Sequence, residues 1–234
     1  MGYTWIDFLL LLIAVAAIPA LSILAGRTYA RRQRSELNLV RRYWFIIIRG
    51  LVVSLLIVSA WSWTGRSYST LGLDIPIGYR GRIGFILDAV LACYYVFALL
   101  VRKLSPGRIA ATRRRLNSHR ILPETREEFV LFPFVGIVGS IFEELLYRGF
   151  LIWFFMPLAG VWGAVPLSSL AFGVGHAYQG WIGIVRTTVI GFAFAAGYVL
   201  THSLWWLIMA HIMISIFGDL FTRRLMRLSP APIQ

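Results

Sequence analysis

Seven apolar runs, each near the length that crosses a bilayer, divide this chain: 4–25, 43–63, 83–101, 129–155, 161–178, 182–200 and 203–221. A crossing takes about 20 apolar residues at a rise of 1.5 Å each. Hydrocarbon offers a peptide group no hydrogen bond, so each run must satisfy its own backbone as a helix. No ten-residue alternating pattern repeats, which disfavours the other spanning solution, a closed β-barrel. The expected fold class is therefore all-α, a polytopic transmembrane helical bundle of about seven spans. It forms a single integral membrane domain over 1–234, with accessory spans in 1–128 and a core in 129–221. The run 129–155 is long enough to tilt strongly, and Pro157 is expected to stop it.

Composition agrees. The chain is 59% hydrophobic over 234 residues, where a soluble domain has about 45–50%. The N-terminus has no positive stretch ahead of its first apolar run, so 4–25 reads as a retained span rather than a cleaved signal peptide. Cys93 lies alone in an apolar run. It has no disulfide partner in the chain and cannot build a cysteine metal site, and a small buried core residue is the expected role.

The net charge of +13 is almost all arginine, and it sits in the connections. Residues 26–42 hold six arginines against Glu36, and the 102–128 loop and the tail around Arg223, Arg224 and Arg227 are also basic. Part of the loop, RIAATRRRLNSHRIL, has the pattern of an amphipathic surface helix, although a solvated loop fits it as well. With no nucleic-acid-binding motif in the chain, this charge reads as topology signal and lipid contact rather than as a nucleic-acid surface. By the positive-inside rule these three segments face the cytoplasm. The N-terminus then lies outside and the C-terminus inside, in a multi-pass cell-membrane protein expected in a bacterial inner membrane. The 64–82 loop, with Arg66, Arg80 and Arg82, falls outside and is the segment that fits least well.

Ionisable groups within spans are expensive and mark function by default. Here they are Arg49, Asp88, Glu143, Glu144, Arg148, His176, His202 and His211. Asp7, Arg186 and Asp219 lie near span ends, where they are expected to reach water. Arg49 and Asp88 fall in neighbouring runs and are expected to pair as a clamp between the second and third helices.

The densest cluster is FEELLYRGFL, residues 142–151. Successive helical residues are about 100° apart, so Glu143 and Glu144 cannot face one spot. Glu144 precedes Arg148 by four, the better orientation for a helical ion pair. Glu143 is left facing elsewhere, suited to take a proton from water, while a structural charge cluster accounts for the motif equally well. In AFGVGHAYQ, His176 follows Phe172 by four on one helix face, and Gly173 and Gly175 allow another helix to approach closely. A lone histidine here is more often a structural hydrogen bonder. In LWWLIMAHIMIS, His211 is mid-span and Ser215 is four residues on, where a serine usually bonds its own helix. His202, at the start of that span, is within reach of water or headgroups and is not favoured for catalysis. If the glutamates and the two mid-span histidines converge, they form a polar pocket in a dry environment, with the parts needed to hydrolyse a bond.

These residues, from about 140 to 217, resemble the CPBP family of intramembrane proteases. The family includes CAAX prenyl endopeptidases and bacteriocin-processing or self-immunity proteins. Its EExxxR motif matches Glu143, Glu144 and Arg148; its FxxxH motif matches Phe172 and His176; its last histidine matches His211. Ser215 stands where the family commonly has Asn. The resemblance implies an endopeptidase acting on a membrane-anchored or lipidated protein through glutamate-activated water. On that reading Glu143 is the base, Glu144 and Arg148 orient the site, and His176 binds water. His211 and Ser215 hold the oxyanion, and no cofactor is required. Zinc held by Glu143, His176 and His211 is the alternative chemistry, although the chain has no HExxH motif. The partners implied are a membrane-anchored peptide or protein and the lipid bilayer. The rival reading is a non-catalytic immunity factor or scaffold that binds a peptide or partner protein in the same cavity. A small proton-coupled carrier is the third, and the chain lacks the paired broken helices of two matched halves that such carriers use.

Overall fold

The computed structural model describes residues 2–31, 36–74, 78–101, 105, 107, 109–110 and 122–228. Among them there is no strand. The amphipathic surface helix expected within 102–128 lies almost entirely outside the described residues.

Helix α1 is continuous through Trp5–Leu12, a wide-turned Ile13–Ala17 and Ile18–Arg31. Asp7 organises its start. The Asp7 carboxylate accepts from the Thr4 backbone N–H at 2.6 Å and from the Thr4 hydroxyl at 2.9 Å, closing the first turn. The same carboxylate takes the Arg66 guanidinium in a two-point fork, 2.7 Å to each oxygen. Arg66 lies against the rings of Trp61 and Trp153, 5.1 and 4.4 Å from their centroids. Asp7 is therefore fully buried and paired, contrary to the expectation that it reaches water. Arg66 is likewise no free topological charge in the 64–82 loop. Asp219 is buried too and accepts from Arg223 at 2.9 Å.

Helix α2, Leu39–Trp63, is capped by Asn38, whose side chain accepts from the Arg41 N–H at 2.9 Å. Its buried positions, Leu39, Tyr43, Ile47, Gly50, Val53, Ile57 and Ala60, recur every three or four residues. They form one stripe that packs on α4, while Ile48, Leu51, Val52 and Leu55 face outward with the same apolarity. A helix apolar on both faces is what a bilayer requires. Helix α3, Tyr79–Val101, packs on α7. A Cβ at Gly84 would lie 2.3 Å from the Trp206 indole, so only glycine allows that approach. Cys93 is exposed on this helix, whose span is 11% buried; it faces outward and is not the core residue expected.

Helix α4 begins at Arg126 with a capping box between Thr125 and Glu128 and runs to Glu143. It continues through Glu144–Leu151 in wide, π-helical turns. Helix α5, Ile152–Gly175, passes Pro157 without a break and reverses at Gly160, whose φ of 65° and ψ of 176° suit glycine alone. The two arms meet across the turn. The Ser168 hydroxyl donates to the Tyr147 carbonyl at 2.5 Å, and the Phe172 ring stands edge-on to Tyr147. The stop expected at Pro157 therefore falls three residues later. A proline's effect on a helix depends on whether the carbonyl it displaces finds another partner, whereas a left-handed glycine turns the chain outright. Among the described residues six helices are long and apolar enough to cross, and the 50-residue Arg126–Gly175 doubles back at Gly160. This is close to the about seven spans expected.

Helices α6, Gly180–Thr201, and α7, Trp205–Leu228, complete the bundle. One end gathers Thr4, the 64–74 loop, Gly160 and the α6–α7 turn, where the Leu204 N–H donates to the Gly72 carbonyl at 2.8 Å. His202 closes α6 there in a left-handed conformation, φ 52°, exposed. The other end holds Arg27, Arg41, Arg126 and Tyr178, whose N–H donates to Ser22 at 3.0 Å.

Candidate active site

The wide turns of α4 and the reversal at Gly160 bring three helices to one point. Glu143 ends the regular part of α4 and Glu144 opens the π-helical part, all eight residues of which are buried. Such turns are frequent at functional sites because they displace side chains from ordinary helical register. The two glutamates part company as their angular offset requires. Glu143 faces a cavity, and Glu144 points into the protein, fully buried.

Glu144 is an anchor. Its Oε1 accepts from Arg148 Nη1 at 3.1 Å and from His211 Nδ1 at 2.8 Å. Arg148, 1% exposed, is held between the rings of Phe172 and Phe194, 4.4 and 5.4 Å from their centroids. Its Nη2 donates to the Gly191 carbonyl at 3.2 Å. Gly191 has no room for a side chain: a Cβ there would meet Phe172 at 3.0 Å and Arg148 at 3.5 Å. The buried charges are thus matched, as burial demands.

Both histidines present Nε2 to Glu143. His176 Nδ1 lies 2.9 Å from the Phe172 carbonyl, and His211 Nδ1 faces the Glu144 carboxylate. A carbonyl and an ionised carboxylate can only accept, which assigns the Nδ1 proton in each ring and leaves a lone pair on Nε2 when the ring is neutral. Those Nε2 atoms are 3.8 Å (His176) and 3.7 Å (His211) from the two Glu143 oxygens. Both distances are too long for a direct hydrogen bond and are of the kind bridged by a shared water. Phe172 is the hub of this arrangement, in ring contact with His176, Tyr147 and His211. The helix approach expected at the glycines is present: a Cβ on Gly173 would lie 1.9 Å from Thr188 Oγ1 of α6, and one on Gly175 would lie 2.7 Å from the Tyr147 hydroxyl.

Ser215 is one turn past His211, on the wall of the same cavity. Its hydroxyl lies 3.3 Å from that of Ser140, which donates to the Gly136 carbonyl at 2.7 Å. With its proton committed, Ser140 is left to accept from Ser215. Ser140 precedes Glu143 by three and carries no motif, and the only sequence signal for it was a small polar residue in an apolar run. Gly136 makes the approach possible, since a Cβ there would lie 2.9 Å from Ser215 Cβ.

Five of the six candidates, Glu143, Glu144, Arg148, His176 and His211, form one hydrogen-bonded or near-contact cluster, with Ser215 beside it. His202 is at the far end of α6. Arg49 and Asp88 do not pair. Helix α2 packs on α4, whereas α3 packs on α7 and α6, so the neighbouring runs are not neighbouring helices. Arg49 rests over the Phe142 ring at 5.5 Å, and both Asp88 oxygens are buried without a hydrogen-bond partner among the described residues.

The cavity has a volume of about 590 Å³. It runs from Glu143 and His176 toward Leu122 and Thr222 at the arginine-rich end. The second half of α1 and the first half of α2 line it, mostly with apolar side chains. Among the described residues no three His, Cys, Asp or Glu side chains are grouped to hold a metal ion.

Residues 125–217 match the family model described as type II CAAX prenyl endopeptidase Rce1-like. A Bacillus subtilis (strain 168) protein, named Putative membrane peptidase YdiL, is 26% identical over 225 residues, 92% of this chain and 86% of that protein. No solved structure matches. The matched segment contains every residue of the cluster, and the relative follows the chain nearly end to end; the chain has the helices of a multi-pass membrane protein and is similar over its core to the Rce1-like endopeptidases.

Proposed function

We propose that this protein is an intramembrane endopeptidase that hydrolyses a peptide bond of a membrane-anchored or lipidated protein through a water activated by Glu143. The observation that carries the reading is the convergence of both Nε2 atoms on the Glu143 carboxylate, each one short step beyond hydrogen-bond range. A water held there by Glu143 and His176 is within reach of a base in a site walled by apolar side chains. Glu143 takes the water's proton, the hydroxide adds to the substrate carbonyl, and Glu143 returns the proton to the leaving amine.

His211 acts on the oxyanion, and its chemistry follows from Glu144. Because Nδ1 already faces a carboxylate, Nε2 donates only when the ring is an imidazolium, and Glu144 is placed to stabilise that form. The same logic operates in carboxylate–histidine dyads of hydrolases. Arg148 pairs with the Glu144 carboxylate and holds it in place. The Ser215 hydroxyl, at the long distance of 3.3 Å from Ser140, turns from that weak bond to the developing oxyanion. No step needs a metal or other cofactor.

The positive-inside rule orients the protein with its N-terminus outside and its C-terminus in the cytoplasm, in the cell membrane. The cavity then opens toward the cytoplasmic leaflet. Neutralisation of Arg66 by Asp7 removes part of the charge that argued against this orientation.

The test compares the protein with Glu143→Gln in native membranes at matched abundance, profiling the C-termini of membrane-anchored proteins by mass spectrometry. Loss of particular processed C-termini in the variant supports the reading and names the substrate. An unchanged profile, with the variant folded, removes the glutamate base and leaves a peptide-binding scaffold.

A further inference from the structure

Arg49 is the cation of the cavity for which the hydrolytic cluster has no use. It is carried on α2 at the level of Phe142, over whose ring its guanidinium rests at 5.5 Å, and it lines the same cavity as Glu143. Its Nε is buried without a hydrogen-bond partner. Among the described residues no carboxylate lies within ion-pair range of it: Glu144 is taken by Arg148 and His211, Asp219 by Arg223, and Glu143 faces the two histidines from beyond that range of Arg49. A guanidinium held unpaired at mid-depth is expensive, and in membrane proteins such groups face an interior cavity and a partner. Arg42, seven residues earlier and so on the same face of α2, lines the cavity nearer its arginine-rich end. An anionic group entering from that end meets Arg42 first and Arg49 at the level of Glu143.

We propose that Arg49 is a specificity-determining residue that binds a carboxylate of the substrate, either a C-terminal carboxylate or an Asp or Glu side chain, and so fixes which peptide bond lies against Glu143. The planar guanidinium fork matches a carboxylate at two points, a geometry an ammonium cannot give. The inference rests on the cavity being the substrate's seat. It differs from a role in which Arg49 merely supplies positive charge to Glu143, since that role would not distinguish one peptide terminus from another.

The experiment uses the full chain in lipid nanodiscs with Glu143→Gln, so that nothing is turned over. The probes are N-dansyl hexapeptides of one apolar composition in three forms: free C-terminal carboxylate, C-terminal amide, and amide with one internal Glu. Binding is followed by fluorescence titration. The free acid is expected to bind roughly ten- to a hundredfold more tightly than the amide. Adding Arg49→Gln should bring the acid down to the amide's affinity and leave the amide unchanged. Arg49→Lys, which keeps the charge and is the fold control, should retain only part of the preference. If the internal-Glu amide is the tight form and Arg49→Gln weakens it, the carboxylate source is a side chain. Acid, Glu-amide and plain amide binding alike, including none binding measurably, overturns the proposal, as does a carboxylate preference that survives Arg49→Gln. Because no turnover is involved, the outcome is independent of whether Glu143 is a catalytic base.

Discussion

Glu144 carries two duties that one pair of variants separates. It neutralises Arg148, at 3.1 Å and 1% exposure, and it orients His211, at 2.8 Å. Glu144→Gln keeps the shape and one acceptor but removes the charge, leaving the Arg148 guanidinium buried between two phenyl rings without a counter-charge. Breaking one side of a buried pair costs about 3–5 kcal/mol. Replacing both partners, Glu144→Gln with Arg148→Met, removes the uncompensated charge at similar volume, so stability should return to within about 1 kcal/mol of the parent. Activity should not return, because His211 still lacks the carboxylate that stabilises its imidazolium. The loss expected is about 10²–10⁴ in kcat, bracketed by removal of an oxyanion donor and by neutralising the carboxylate of a carboxylate–histidine pair. The assay is denaturant unfolding in mild detergent for the two single variants and the double variant. Turnover is measured beside it on the substrate that the Glu143→Gln comparison identifies. If the double variant is as unstable as the sum of the singles, the account of the buried pair is wrong. If it is stable and active, Glu144 has no role in orienting His211.

Ser215→Ala should lower kcat by about 10² with little change in KM, measured on the same substrate, since it removes one oxyanion donor and no binding surface. Gly173→Ala places a Cβ 1.9 Å from Thr188 Oγ1 and 2.9 Å from the Ile184 carbonyl. It should destabilise by at least the 1–3 kcal/mol typical of overpacking, and Thr188→Ala should rescue it only in part, because the backbone contact remains. Asp7→Ala strands a buried guanidinium and should cost about 3–5 kcal/mol in unfolding assays. Its effect on KM should be small, because Asp7 lies at the opposite end of the bundle from the cavity mouth. Chelation with EDTA or phenanthroline should leave the rate unchanged, whereas a loss restored by zinc would replace the glutamate-only chemistry.

The apolar spans were legible because they depend on local sums: enough apolar residues in a row, and a backbone that must bond to itself. The EExxxR, FxxxH and histidine elements were legible for a related reason. Their spacing along single helices already sets which side chains share a face, as with Glu144 and Arg148 or Phe172 and His176. What the sequence left open lay between helices. It paired Arg49 with Asp88 because their runs are adjacent, but adjacency in the chain does not decide which helices touch; α2 chose α4, and α3 chose α7. It took Cys93 as core because an apolar residue in a membrane protein carries no mark of whether it faces lipid or protein. It stopped a helix at Pro157, while the reversal belonged to Gly160, where backbone conformation rather than composition decides.

The separate facing of Glu143 and Glu144, the joining of Ser140 to Ser215, and the convergence of His176 and His211 on one carboxylate are tertiary facts. Each depends on the angle at which α4, α5 and α7 cross and on the wide turns that begin at Glu144. By itself the sequence determined that this chain folds as helices apolar enough to cross a membrane and which ionisable residues those helices carry. The tertiary structure decided which of them meet, because side-chain encounters between helices are set by packing over the whole bundle, to which no short stretch of chain holds the key.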